Sequence, residues 1–188
     1  MKIKSTIGKI LYSTTSFMAP PWISLKIGSK RIEIKLGVRY RLFLAKMIGC
    51  KVSDESVNIE RNVTLPDDLI TGHHCSIGRR CFISRNVTMG NYVVVGPEVC
   101  FYTSNHQFSD IHTPIYHQGL TKSRPITIGN DVWIGRRVIL LPGCNIPDGC
   151  VIGAGSIVTA HEFPPYSVIA GNPARVIKMR GGEPSPAI

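Results

Sequence analysis

Residues 59–100 read IERNVT LPDDLI TGHHCS IGRRCF ISRNVT MGNYVV VGPEVC when divided into sixes, and that division decides the fold. After an interruption the same frame returns at Ile128 as IGNDVW IGRRVI LLPGCN IPDGCV IGAGSI VTAHEF, ending at Phe163. The first position of a hexad is aliphatic in nearly every case, from Ile59, Leu65 and Ile77 to Ile146, Ile152 and Val158. The fifth is small or short, as at Val63, Cys75, Cys81, Val99, Val138, Cys144, Cys150 and Ser156. A period of six matches neither an amphipathic helix nor a simple alternating strand. It matches a short strand and a turn repeated around a prism. Three hexads close one triangular coil, so residues three hexads apart stack at roughly the 4.8 Å of neighbouring strands. Val63, Cys81 and Val99 are expected to form one column and Ile59, Ile77 and Val95 another. In this reading position one fills the prism, position two, often Gly, permits the corner backbone, and position five fills the narrow space that remains. The expected fold class is all-β, a parallel β-helix over residues 52–163.

The frame breaks over residues 101–127, FYTSNHQFSDIHTPIYHQGLTKSRPIT, which contain His106, His112 and His117. A solenoid that excludes a segment from its coils presents it as a surface loop, where function concentrates. Residues 1–51 also lie outside the repeat. Within them RYRLFLAKMIG reads as a short basic amphipathic helix, with Leu42, Phe43 and Met47 as its apolar residues. Residues 164–188 form a C-terminal extension.

Composition bounds the function classes. A hydrophobic share of 43% with 18% charged residues describes a globular chain rather than a disordered one. There is no run of about 18 apolar residues, so no transmembrane helix is expected. Ser13, Thr14, Thr15 and Ser16 interrupt any signal-like apolar core, which places the protein in the cytoplasm. The net charge of +10 is confined to residues 1–51, which hold eleven basic residues against the single acid Glu33, whereas the remainder is balanced. Such a segment suits an anionic surface: the inner membrane face, a lipid-linked phosphate or an acidic glycan. No nucleic-acid motif accompanies it. The six cysteines contain no Cys-x-x-Cys pair, and four occupy the fifth hexad position, so they read as reduced core thiols.

The stretches TSNHQFSD (103–110), TPI (113–115), RPITIGNDVWIG (124–135), VIGAGSIVT (151–159) and AGNPARVI (170–177) resemble the hexapeptide-repeat acyltransferases, in the sugar O-acetyltransferase branch that includes the galactoside and maltose enzymes. The resemblance covers about residues 52–180 and implies a left-handed parallel β-helix, usually assembled as a homotrimer with active sites between neighbours. It implies direct transfer from acetyl-CoA to a sugar hydroxyl, with no metal. His106, which opens the loop, corresponds to the general base. A sugar hydroxyl is a poor nucleophile at neutral pH, and an imidazole can take its proton as the oxygen attacks. The backbone N–H of Arg136 corresponds to the oxyanion donor, with Gly135 allowing close approach. Trp133 corresponds to a tryptophan along the pantetheine arm. Ala154, Gly155 and Thr159 fall where relatives pass coenzyme A between coils, and Arg175, Lys178 and Arg180 are suited to its phosphates. Asn105, Ser76 and His74 are the acceptor-side candidates.

One departure bears on the acceptor. Where galactoside-type enzymes place an Asn some thirty residues before the base, this chain has Ser76, and their N-terminal region has no recognisable counterpart here. A glycan or lipid-linked sugar of surface polysaccharide assembly (capsule, O-antigen or exopolysaccharide) is therefore the expected acceptor. Three other readings share features of the sequence. Relatives that acetylate antibiotics also use an Asn-His pair. Zinc carbonic anhydrases share the prism and have two ligands spaced as His112 and His117 are, with a third to be sought at His73 or His74. A non-catalytic scaffold would keep the prism alone.

Overall fold

The computed structural model describes residues 2–15, 23–27, 30–34 and 36–181, with side chains described for 4–15 and 36–181. The side chains of Lys26, Lys30, Arg31 and Lys35, part of the basic N-terminal quarter, and residues 182–188 of the C-terminal extension lie outside the described residues. In chain order the elements are α1 (Lys2–Thr15), β1 (Ile23–Ile27), β2 (Lys30–Ile34), α2 (Leu36–Ile48), β3 (Lys51–Val52), β4 (Asn58–Ile59), β5 (Ile70–Thr71), β6 (Ser76–Ile77), β7 (Phe82–Ile83), β8 (Val87–Met89), β9 (Val94–Val95), β10 (Cys100–Phe101), α3 (Ile115–Gln118), β11 (Ile126–Ile128), β12 (Trp133–Ile134), β13 (Ile139–Leu140), β14 (Asn145–Ile146), β15 (Val151–Ile152), β16 (Ile157–Val158), β17 (Ser167–Gly171) and β18 (Ala174–Met179). None of these helices is long and apolar enough to cross a membrane.

From β3 onward the strands form three parallel stacks, which are the faces of a left-handed β-helix. One face runs β4-β6-β9-β12-β15-β17, the second β3-β5-β8-β11-β14 and the third β7-β10-β13-β16. β18 folds back antiparallel on β17. Ile59 pairs with Ile77 and Ile77 with Val95, as the hexad spacing predicts. Across the interruption Val95 pairs with Ile134, so the loop leaves and returns without disturbing the stack. The fifth-position column holds as well: Thr64 N–H donates to Cys81 O and Phe82 N–H to Val99 O, both at 2.9 Å. Both columns are buried and form one continuous core.

The corners differ from the sequence reading. The left-handed residue is at hexad position four, as at Asn62 (φ 60°), Arg80 (59°), Glu98 (62°) and Arg137 (59°) on one edge and His74 (56°), Tyr92 (60°) and Asp131 (53°) on another. The second-position glycines serve a different need, the approach of the next coil. A Cβ on Gly135 would lie 2.6 Å from Ala154 N, a backbone atom that cannot yield.

Two helices cap the first coil. α2 buries Leu42, Leu44, Ala45 and Ile48, and Tyr12 of α1 joins the same core. Gly8 lets α1 sit directly on α2, because a Cβ there would meet Ile48 N at 2.9 Å. Leu42 is buried and Met47 packs against the core, but Phe43, expected on the apolar face, is 58% exposed. The helix turns about 100° per residue, which sets Phe43 opposite the face that holds Leu42, Ala45 and Ile48. Arg41 is only 1% exposed and its Nε donates to Ile59 O at 2.7 Å. Lys9 pairs with Asp67 at 3.4 Å and Lys46 with Glu55 at 3.1 Å. Three cations of the basic quarter thus serve the protein's own packing. All six cysteines are free thiols, five buried and Cys100 half-buried.

Candidate active site

The chain leaves the prism after Phe101 of β10 and returns at Ile126 of β11, and a ladder of hydrogen bonds ties the two limbs of the loop. Arg124 N–H donates to Thr103 O at 2.7 Å, Thr121 N–H to Asn105 O at 2.8 Å and Gln107 N–H to Gly119 O at 2.9 Å. Asn105 N–H donates to Thr121 Oγ1 at 3.0 Å, and Asn86 Nδ2 holds Ser123 Oγ at 2.9 Å. His106 lies within this neck, in an antiparallel bridge with Leu120, and its side chain is exposed. His112 and His117 lie further out. There Gln118 Nε2 donates to Asp110 O at 2.7 Å and Thr113 O at 2.6 Å, closing the tip on itself. The Asp110 carboxyl is held below its ordinary range by the Thr113 side chain and the His112 N–H. Around the tip Phe108, Ile111, Ile115, Tyr116 and Leu120 are exposed.

One face of the prism collects two expected site residues. Asn58, Ser76, Val94, Trp133, Val151 and Val168 are register partners in succession, a single outward column. Trp133 is 56% exposed, two strands from half-buried Ser76. Asn58, which the motif reading passed over, precedes Ser76 in that column. The periodicity alone could have placed it, since it stands three hexads before Ser76. Lys178 faces Val168 across β17 and β18. His74 turns the corner before this face and stacks on Tyr92, ring centroids 5.0 Å apart and 8° from parallel. Arg180 is bound to the same corner, Nη1 to Asp131 Oδ2 at 2.7 Å and to Gly149 O at 3.1 Å.

The next edge carries Gly135, Arg136, Ala154 and Gly155. Gly155 N–H donates to Arg136 O at 2.8 Å, while among the described residues the N–H groups of Arg136 and Ala154 find no protein acceptor. The Arg136 side chain is turned to Glu98, Nη2 to Oε1 at 2.8 Å, and Arg137 Nε takes the other oxygen at 2.7 Å. Arg137 first and Arg136 second hold the Glu98 carboxyl down at about 2. Ala154 and Gly155 are exposed, and Thr159 is half-buried beyond β16. Arg175 is exposed, its Nη1 donating to Ala174 O at 3.0 Å.

Among the described residues His106 makes no hydrogen bond or ring contact with Ser76, Trp133 or Arg136, for it stands on the loop and they stand on the prism. Nor, among the described residues, is any group of three or more His, Cys, Asp or Glu side chains placed to hold a metal ion. A cavity of about 570 Å³ opens between α2 and the first coils, lined by Arg41, Asn58, Arg61, His74 and Arg79 among others. Of these only His74 was singled out in the sequence.

Residues 125–160 match the family described as bacterial transferase hexapeptide (six repeats). Galactoside O-acetyltransferase of Escherichia coli (strain K12) is 42% identical over 115 residues, 57% of this chain and 55% of that protein. The chain thus spans little more than half the length of that curated relative. Among solved structures, a galactoside acetyltransferase in complex with coenzyme A shares 31% identity over 95% of this chain and 81% of its own, with a TM-score of 0.52. A maltose O-acetyltransferase from Clostridium difficile 630 shares 26% identity over 96% of this chain and 86% of its own, with a TM-score of 0.69.

Proposed function

Because the chain belongs to the hexapeptide-repeat acyltransferases, in their sugar O-acetyltransferase branch, we propose that it transfers an acetyl group from acetyl-CoA to a hydroxyl of a sugar. The observation that carries this reading is the pinned neck of the loop, which holds an exposed His106 on an otherwise packed prism. The thioester of acetyl-CoA supplies the activated acyl group. His106 takes the hydroxyl proton as the sugar oxygen attacks. The Arg136 N–H, which has no protein acceptor among the described residues, is available to the developing oxyanion. Gly135 keeps that backbone open, and exposed Trp133 lies against the pantetheine arm. Ala154, Gly155 and Thr159 form the slim wall between coils. Arg180 is committed to Asp131, so exposed Arg175 and Lys178 serve the coenzyme phosphates. Asn105, Ser76 and His74 face the acceptor.

Within this reading the enzyme is a homotrimer. The apolar loop tip of Phe108, Ile111, Ile115 and Tyr116 needs a partner surface, and a loop that reaches a neighbour brings His106 to the prism face of the next subunit. The acceptor is a glycan or lipid-linked sugar of surface polysaccharide assembly, met in the cytoplasm at the inner membrane face. The basic excess of residues 1–51 supports that placement.

The test is acceptor-dependent release of free coenzyme A thiol, for wild type and His106→Ala, over a panel of sugars and glycans. Loss of about 10² to 10⁴ in rate with coenzyme A binding unchanged is expected. Release that persists undiminished in the variant would remove His106 from the chemistry.

A further inference from the structure

The prism edge that holds Arg136 carries arginines on three of its coils, with Pro97 and Glu98 on the coil between. Arg80 N–H donates to Arg61 O at 3.3 Å, Glu98 N–H to Arg79 O at 2.9 Å and Arg137 N–H to Pro97 O at 3.0 Å, so these corners stack as one ladder. At one end Arg136 and Arg137 share the carboxylate of Glu98. The other end has no equivalent. The nearest acid, Glu60, receives the Arg79 backbone N–H on Oε2 at 2.9 Å, and Arg61, Arg79 and Arg80 form no ion pair among the described residues. All three are exposed, and they line a concavity of about 710 Å³. Arg61 and Arg79 also line the cavity of about 570 Å³ beneath α2, together with Arg41, Glu60 and Glu55, the last paired with Lys46. That cavity includes Asn58, whose Oδ1 is buried without a hydrogen-bond partner. Asn58 begins the outward column that runs through Ser76 and Val94 to Trp133, so the cavity opens beside the face assigned to the coenzyme.

We propose that this cavity takes an anionic sugar, with Arg61 and Arg79 holding a phosphate or carboxylate of the acceptor while Asn58 Oδ1 accepts from one of its hydroxyls. The proposal rests on the sugar-acetylation reading and names the acceptor class. A guanidinium presents paired donors that match an oxyanion, and exposed cations without partners lose little water-facing structure when they receive one. A neutral sugar would leave both guanidinium groups without an ion-pair partner. Arg80, one residue along the same edge, adds to the attraction over the Debye length of about 10 Å at moderate salt.

The experiment is calorimetric titration of the full chain with galactose, galactose 1-phosphate and galacturonate, for wild type and Arg61→Gln/Arg79→Gln. At least one charged sugar is expected to bind about tenfold or more tightly than galactose, and the variant to lose that preference while melting as wild type does. The two charged sugars separate phosphate from carboxylate. If the double variant melts early, the single substitutions are read instead. Galactose binding as tightly as both charged sugars, or a preference that survives the substitutions, overturns the proposal. So does displacement of the charged sugar by coenzyme A, which would assign the arginines to the coenzyme's phosphates. Charged-sugar binding without thiol release from acetyl-CoA would instead overturn acetyl transfer and leave the anion site standing.

Discussion

His106 is bridged antiparallel to Leu120, so the residue assigned as base is held by the limb on which the loop returns. The adjacent rung, Asn105 N–H to Thr121 Oγ1 at 3.0 Å, is a side-chain bond between the two limbs that substitution can remove without changing shape.

Thr121→Val keeps the β-branched form and deletes that acceptor. A drop in kcat of roughly tenfold is expected, with the KM for acetyl-CoA unchanged, because a misplaced base costs less than the 10² to 10⁴ of an absent one. Initial rates over both substrates decide it. An unchanged kcat would mean that the backbone rungs alone position His106.

Trp133 is 56% exposed, so Trp133→Ala removes little from the core. Its unfolding free energy is expected within about 0.5 kcal/mol of wild type. Affinity for coenzyme A should fall about tenfold, as for loss of one well-placed aromatic contact. Thermal melts and coenzyme titration read the two quantities. Unaltered coenzyme affinity together with a lighter assembly by mass would assign Trp133 to a subunit contact.

Glu98 holds Arg136 and Arg137 through a carboxyl depressed from its ordinary 4.5 to about 2. A depressed carboxyl contributes stability that is present above the unfolded value and disappears as pH falls through the folded one. Glu98→Gln is therefore expected to melt below wild type at pH 7, with the gap closing as pH falls from 4.5 towards 2. Circular-dichroism melts across that window test it. A gap that stays constant with pH would trace the loss to shape rather than charge.

Burial pushes the thiols of Cys50 up to about 12 and of Cys81 and Cys144 up to about 11, and raises those of Cys75 and Cys150. In the native protein at pH 8 only half-buried Cys100 is expected to add a maleimide within minutes, whereas all six react in denaturant. Intact mass after a timed quench counts the adducts. A second fast adduct would reveal local opening of the prism.

The hexads alone determined the coil, its three faces and the columns through Ile59, Ile77 and Val95. Each coil packs only on its neighbours, so a rule that repeats along the chain is also the rule of the core. The break at residues 101–127 was legible for the same reason, as a place where the rule fails. His106 was singled out by its motif. What the chain could not declare were relationships between residues that no local period links. Position four, not the glycine at position two, carries the left-handed turn, because the demand on position two comes from the backbone of the coil above. Arg41 reads as a surface cation, yet it enters the core to meet Ile59 O, and Arg180 reaches back to Asp131. Arg61 and Arg79 are ordinary turn residues in the sequence. Only stacking puts them on one edge without an ion pair among the described residues, beside the cavity that α2 closes.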